Sequence, residues 1–147
     1  MKNKYGIEFD FLIFSGLMLF ACVVIFVVGY LIQRNERFNA MQYLVSTIGG
    51  AARVYDVQTG MTEDKLYASK MIDIGLMKRL INPFNTEAYC DEDNSYVYKK
   101  DDIYYVTLKC GSYLVKDYAT YHSSEMIIYQ ESVLGETQIK ILSVKGK

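Results

Sequence analysis

The stretch FLIFSGLMLFACVVIFVVGYLI, residues 11–32, runs for 22 positions without a charged side chain, and its reading decides the fold. As an α-helix it would reach about 33 Å, enough to cross a hydrocarbon core about 30 Å thick. Ser15, Gly16, Cys22 and Gly29 are all tolerated in a membrane helix. A cleaved secretory signal would carry a shorter apolar core of roughly 7–15 residues, followed by a small-x-small site. Here the sequence continues as GYLIQRNERFNA (residues 29–40), which offers no such site. The expectation is an uncleaved, single transmembrane helix over 11–32.

Two carboxylates, Glu8 and Asp10, stand where the apolar run begins. Near the membrane interface a charge costs little, so both acids can simply be solvated at the headgroups. The alternative is that something requires negative charge there. Lys2 and Lys4 on one flank and Arg34 and Arg37 on the other nearly tie, so charge alone does not orient the span. Past Gln33 the chain turns polar and mixed in sign. With 147 residues, a 51% apolar composition and a net charge of −1, it has room for one domain with an appendage. That charge leaves no basic footprint, so no nucleic-acid partner is expected.

Beyond the span, Phe38, Met41, Leu44, Val45, Ile48, Ala52 and Tyr55 recur at threes and fours, one face of an amphipathic helix. No proline or glycine separates Ile32 from Phe38, so the simplest reading is one long helix, first in lipid and then packed on a domain. Gly49-Gly50 would weaken it by up to about 1 kcal/mol each relative to alanine. The pair marks either a bend or a place where something packs close. A second helix is expected from an N-cap at Thr62, with Glu63 and Asp64 in its first turn, to about Ile74. Gly75 then serves as the C′ glycine, with Leu76 beyond it. Pro83, the only proline, disfavours helix at Asn82. Strands are expected over 96–99, 103–110, 112–116, 126–130 and 138–144, alternating as half-buried antiparallel strands do.

Cys22 lies inside the span and reads as a small apolar filler. Cys90 and Cys110 are more informative. A hairpin around Lys99-Lys100-Asp101-Asp102, with its turn centred near Lys100 or Asp101, makes partner numbers sum to about 200 or 201. That register brings Cys90 close to Cys110, within disulfide reach. Two free thiols are the alternative. A bridge would place the domain in an oxidising exterior, with the N-terminus inside and the C-terminus outside.

Little here points to catalysis. His122, the only histidine, has no evident partner in Ser123, Ser124 or Glu125, and a metal site wants three or four ligands. There is no phosphate-binding glycine loop. An enzyme is not expected, and neither is a metal or other cofactor. The fourteen tyrosines gather toward the C-terminus, where they suit interfaces and plain strand packing alike.

A membrane helix that continues as an amphipathic helix and docks on a small antiparallel sheet resembles a type IV pilin or pseudopilin. More specifically, IDIGLMKRLINPFNTEAYCDEDNSYVYKKDDIYYVTLKCGSYLVKDY (residues 72–118) is similar to pilin-like proteins of Firmicutes. In those, a G-L-I/M turn, an N-P-F turn, C-D…S-Y-V and L-K-C-G-x-Y recur in that order. The resemblance implies a subunit drawn from the cytoplasmic membrane into a helical filament by an assembly ATPase and a membrane platform protein. It also implies a prepilin peptidase that cuts after a glycine and methylates the new amino terminus. A glutamate at the fifth mature position then neutralises a neighbouring subunit's terminal ammonium in the apolar bundle, where a charge is tolerable only when paired. Gly6 and Ile7 are the candidate processing site, and Asp10 and Glu8 the candidate assembly carboxylates. The chain departs from the pattern here, because after Gly6 the acids fall at the second and fourth places.

The fold class expected is therefore α+β, a long N-terminal helix packed on a small antiparallel sheet in a pilin-like arrangement. The domains are a leader or cytoplasmic segment 1–10, a transmembrane helix 11–32 and an extracytoplasmic pilin-like domain 33–147. The function expected is a structural subunit, a minor pilin or pseudopilin of a type IV filament or type II secretion-like system. Its partners would be the membrane, other pilin-like subunits and the assembly machinery. It would be localised as a single-pass protein of the cell membrane or in a surface filament. The alternative is a signal-anchored extracellular binding module, neither processed nor polymerised.

Overall fold

The computed structural model describes residues 4–122, 125–132 and 135–139, the side chains of 4–10 and 136–139 excepted. The chain divides into two compact units, Met1–Glu36 and Arg37–Lys147. Helix α1 runs uninterrupted over Lys4–Thr59. It stops at Gly60, whose positive φ of 70° is one a left-handed helix terminus needs and glycine adopts without cost.

The second unit is α+β. Its sheet has six antiparallel strands in sequence order: β1 (Leu66–Tyr67), β2 (Tyr96–Lys100), β3 (Ile103–Cys110), β4 (Tyr113–Ala119), β5 (Ile128–Ser132) and β6 (Gly135–Ile139). A short helix α2 (Ala68–Asp73) follows β1. The pairing aligns Leu66 with Val97 and Val97 with Val106, and further along Leu108 with Val115 and Val115 with Ile128. Because side chains alternate along a strand, these rows share one face. All six residues are buried, in one cluster with Phe38, Met41, Val45, Ile48 and Ala52 of α1. Leu44 and Tyr55 pack against it half-buried. The helical beat expected after the span is thus the core face of α1. Met71, Met77, Leu80 and Met126 fill the remaining space.

The second helix is shorter than the sequence predicts. Residues 61–65 are not helical, Thr62 is not a cap, and α2 has only six residues, with Tyr67 at its N-terminus and no side-chain cap. Leu66 is the reason: it is fully buried, and extended backbone seats it opposite Val97. Tyr67 pairs with Tyr96, and the Ala68 N–H carries the pairing on by donating to the Ser95 carbonyl at 2.8 Å. Tertiary pairing here outweighs a helix cap worth about 1 kcal/mol. Glu63 forms an ion pair with Lys70 instead. The predicted end holds. Gly75 N–H donates to the Ile72 carbonyl and Leu76 N–H to the Met71 carbonyl, both at 2.9 Å, the two bonds of a Schellman motif. Gly75 takes the left-handed φ of 76° that motif requires.

The strands after Cys110 are displaced from their expected limits. β4 extends to Ala119 because a bulge between Val106 and Leu108 restores its pairing, with Asp117 at a positive φ of 46°. Asp117 N–H donates to the Thr107 hydroxyl at 3.3 Å across that bulge. β5 starts two residues later than expected, and β6 begins at Gly135. The rest of the expected last strand, 140–144, lies outside the described residues.

Gly49-Gly50 marks a close approach, since the helix continues through it. A Cβ on Gly49 would stand 2.6 Å from the Thr120 methyl carbon, whereas one on Gly50 would meet nothing nearer than the Tyr121 hydroxyl at 3.5 Å. Opposite outcomes are therefore expected from one chemical change. Gly49→Ala should destabilise the domain by about 1–3 kcal/mol through overpacking, and Thr120→Ser should relieve part of that loss. Gly50→Ala should leave stability unchanged or raise it by up to about 1 kcal/mol through helix propensity. Denaturant titration of the purified chain in mild detergent measures both.

Candidate functional site

Cys90 and Cys110 form a disulfide across a sequence separation of 20 residues. The pairing agrees with expectation, but its cause differs. The β2–β3 turn is the two residues Asp101 and Asp102, at φ 51° and 59°, the doubly left-handed geometry of a type I′ hairpin. Lys100 therefore pairs with Ile103 and Tyr96 with Thr107, so partner numbers sum to 203 and a strict ladder would set residue 93 opposite Cys110. Residues 91–95 absorb the difference as a loop. The Ser95 hydroxyl donates to the Asp91 carbonyl at 2.6 Å and accepts the Lys109 N–H at 3.0 Å, standing in for a strand carbonyl. Asp91 N–H then donates to the Lys109 carbonyl at 2.8 Å, which sets Cys90 beside Cys110.

The N-P-F, C-D and L-K-C-G-x-Y segments meet around this bridge. Asn82 of N-P-F accepts the Phe84 N–H at 2.9 Å, and the Phe84 ring stacks on Tyr113 of L-K-C-G-x-Y with centroids 3.6 Å apart. Gly111, at φ 61°, lies so close to Asn82 that a Cβ there would be 3.2 Å from its amide nitrogen. Cys90 N–H donates to the Leu80 carbonyl at 2.7 Å. The order and spacing of these motifs therefore encode a folded knot of main chain and rings.

The other candidate residues fall differently. Gly6, Ile7, Glu8 and Asp10 belong to α1, and their side chains lie outside the described residues, as do Ser123 and Ser124. From Phe11 to Ile32 every large apolar side chain is exposed, Phe26 by 79%. Six residues past Ile32, Phe38 is only 5% exposed. Free in water, an apolar surface of this length would be an aggregation liability; lipid or protein normally covers one. This is one helix long and apolar enough to cross a membrane.

Four tyrosines line the sheet's second face, whereas Tyr104, Tyr113 and Tyr118 pack against the core. Tyr67 meets Tyr96 edge-on with centroids 5.9 Å apart, and Tyr98 stacks on Tyr105 at 5.1 Å. Both are cross-strand pairs. Thr107, on the same face, is buried. Strand packing thus accounts for these four of the fourteen tyrosines.

A polar centre that the sequence motifs do not mark lies at the end of α1. Asp56, in the last turn of α1, accepts Lys99 Nζ at 2.8 Å and the Tyr104 hydroxyl at 2.6 Å on one oxygen, and the Met61 N–H at 2.7 Å on the other. The Lys99 hydrogen bond, then Tyr104 and the Met61 N–H, holds this carboxyl far below the usual carboxylate range. Lys99 is pushed above the usual lysine range by Asp56 first and by Asp102 second. Burial and the bond to Asp56 push Tyr104 up. One signal could have flagged Asp56: an acid at a helix C-terminus opposes the helix dipole, so it implies a cationic partner elsewhere. Asp56, Lys99 and Tyr104 form one wall of a cleft of about 450 Å³, which Arg53, Val57, Asp102, Ile103, Tyr121 and His122 also line. Among the described residues, no group of three or more His, Cys, Asp or Glu side chains could hold a metal ion. No protein-family model, curated protein or solved structure matches this chain.

Two outcomes follow from these geometries. Replacing Cys90 and Cys110 together by alanine should cost about 3 kcal/mol, the chain-entropy value for a loop of this size, read as a lowered denaturant midpoint. Asp56 titrates below its unfolded value of about 3.9, so its stabilisation is present above about pH 4 and lost as pH falls below it. Lys99 has the opposite sign, its contribution fading only above about pH 10. Asp56→Asn should therefore cost about 1.5–3 kcal/mol at pH 7 and flatten the acid limb of the stability curve between roughly pH 5 and 2, measured by urea unfolding across pH.

Proposed function

We propose that this chain is a structural subunit, a minor pilin or pseudopilin of a type IV filament or type II secretion-like system, assembling through its N-terminal apolar helix. The observation that carries this reading is the run from Phe11 to Ile32, exposed along a helix whose later turns form the core of a disulfide-pinned α+β domain. Twenty-two residues without a charge suffice to anchor the chain in a bilayer, and the same surface can exchange lipid for neighbouring helices on assembly. The bridge supports an extracytoplasmic domain, with the N-terminus in the cytoplasm. The motif series in residues 72–118 supports the pilin-like assignment, and with it dependence on a prepilin peptidase, an assembly ATPase and a membrane platform protein. Gly6-Ile7 is the proposed cleavage point and Asp10, or Glu8, the carboxylate that would pair with a neighbour's terminal ammonium.

A second reading has a specific observation behind it. No acid stands at the fifth place after Gly6. An anchored, unpolymerised extracellular binding module needs neither cleavage nor that carboxylate. Exchanging residues 11–32 for an unrelated single span separates the two readings. Assembly through the helix predicts loss of surface filaments with the protein still in the membrane; unchanged filaments would sink it. Intact mass from the native membrane adds the processing state, where a start at Ile7 carrying a methyl group is the expected result and an unmodified Met1 start favours the anchored module.

A further inference from the structure

The cleft beside Asp56 contains a cation that the fold itself does not use. Lys99 is fully engaged, holding Asp56 at 2.8 Å and Asp102 at 3.2 Å. Asp56 already accepts three hydrogen bonds. Asp102 lines the cleft at its rim, its side chain 93% exposed and its charge matched by Lys99. Arg53 has no carboxylate within ion-pair distance among the described residues. Its guanidinium lies 5.7 Å from the centre of the Tyr121 ring, and its charge is felt at Tyr104.

The wall that carries Tyr121 is held under strain. Tyr121 sits at φ 65°, left-handed backbone that costs a bulky residue about 1–2 kcal/mol, yet the residue is 67% exposed. Burial of the ring therefore does not offset that cost. Neighbouring contacts fix the segment instead: Thr120 packs on Gly49, and its N–H and hydroxyl both donate to the Tyr104 carbonyl, at 3.0 and 3.1 Å. An exposed ring locked in a strained conformation under an unmatched guanidinium is a preorganised arrangement, of the kind found at ligand sites.

We propose that this cleft binds a carboxylate carried on a small apolar or aromatic frame. The anion takes the bidentate face of Arg53, and the frame lies along Tyr121, Val57 and Ile103. The volume suits one such group, at the lower end of the range for small-molecule sites. Either a free aromatic acid or an acidic side chain of a protein partner could supply this chemistry. The site does not depend on the filament reading, since every residue in it belongs to the unit Arg37–Lys147.

The test is a titration of the full chain in lipid nanodiscs, following the Arg53 Nε–H and Tyr121 amide signals by NMR. Arg79, stacked on Tyr89 and paired with Glu92, serves as the internal reference. Phenylacetate is the first probe, phenylacetamide its neutral control, and a blocked phenylalanyl-glutamate dipeptide the second. The expected result is a saturable shift at Arg53 and Tyr121 with half-saturation below about 10 mM, absent with the amide and weakened at least about tenfold in Arg53→Gln. Tighter binding of the dipeptide assigns the site to a protein partner; tighter binding of phenylacetate assigns it to a free acid. No saturable shift with either probe, or an equal response in an Arg53→Gln protein of unchanged denaturant midpoint, overturns the proposal.

Discussion

One apolar stripe on α1 organises the sheet domain. Met41, Val45, Ile48 and Ala52 are wholly buried, and their spacing of three and four leaves only one face of the helix able to meet the sheet. Each large aliphatic side chain removed from water contributes about 1.5–3 kcal/mol, so this contact dominates the stability of a small domain. Its geometry dictates the rest. The sheet must present Leu66, Val97, Val106, Leu108, Val115 and Ile128 on one side, which fixes the register of five strands at once. The glycine at position 49 is part of the same constraint, because the segment after β4 lies against the helix there.

Register in the β2–β3 hairpin is set twice, by different physics. The Asp101-Asp102 turn sets it from one end through backbone handedness. The disulfide sets it from the other end, three residues out of step. The loop 91–95 reconciles the two, and Ser95 is central because a buried hydroxyl can both donate and accept where a strand carbonyl is missing. The N-P-F and L-K-C-G-x-Y segments pack around the same bridge. What looks in sequence like a string of separate motifs is a single folding unit, and its residues serve shape rather than chemistry.

Polar organisation is concentrated at the far end of α1. Asp56 joins helix, loop and two strands through three donated hydrogen bonds, which compensate the cost of an acid at a helix C-terminus. Lys99 is divided between two carboxylates, and Arg53 is left with a ring. The exposed, strained Tyr121 and the half-buried Asp56, held by three hydrogen bonds, thus stand side by side as the accessible and the structural halves of one cluster.

The sequence by itself determined the elements whose signals are local. The length and polarity of residues 11–32, the helical beat from Phe38 to Tyr55, the glycine stop at Gly75 and strand β3 were all legible, because periodicity and terminators act within a few residues. The α+β class followed from them. Tertiary structure alone decided where local preference and long-range pairing compete. Leu66 became a strand because Val97 offered a buried partner, although Thr62 and two acids read as a helix start. Cys90 met Cys110 through a loop that no hairpin count contains. Asp56 found Lys99 across 43 residues of sequence, a distance over which a pattern of residue types carries no information about contact.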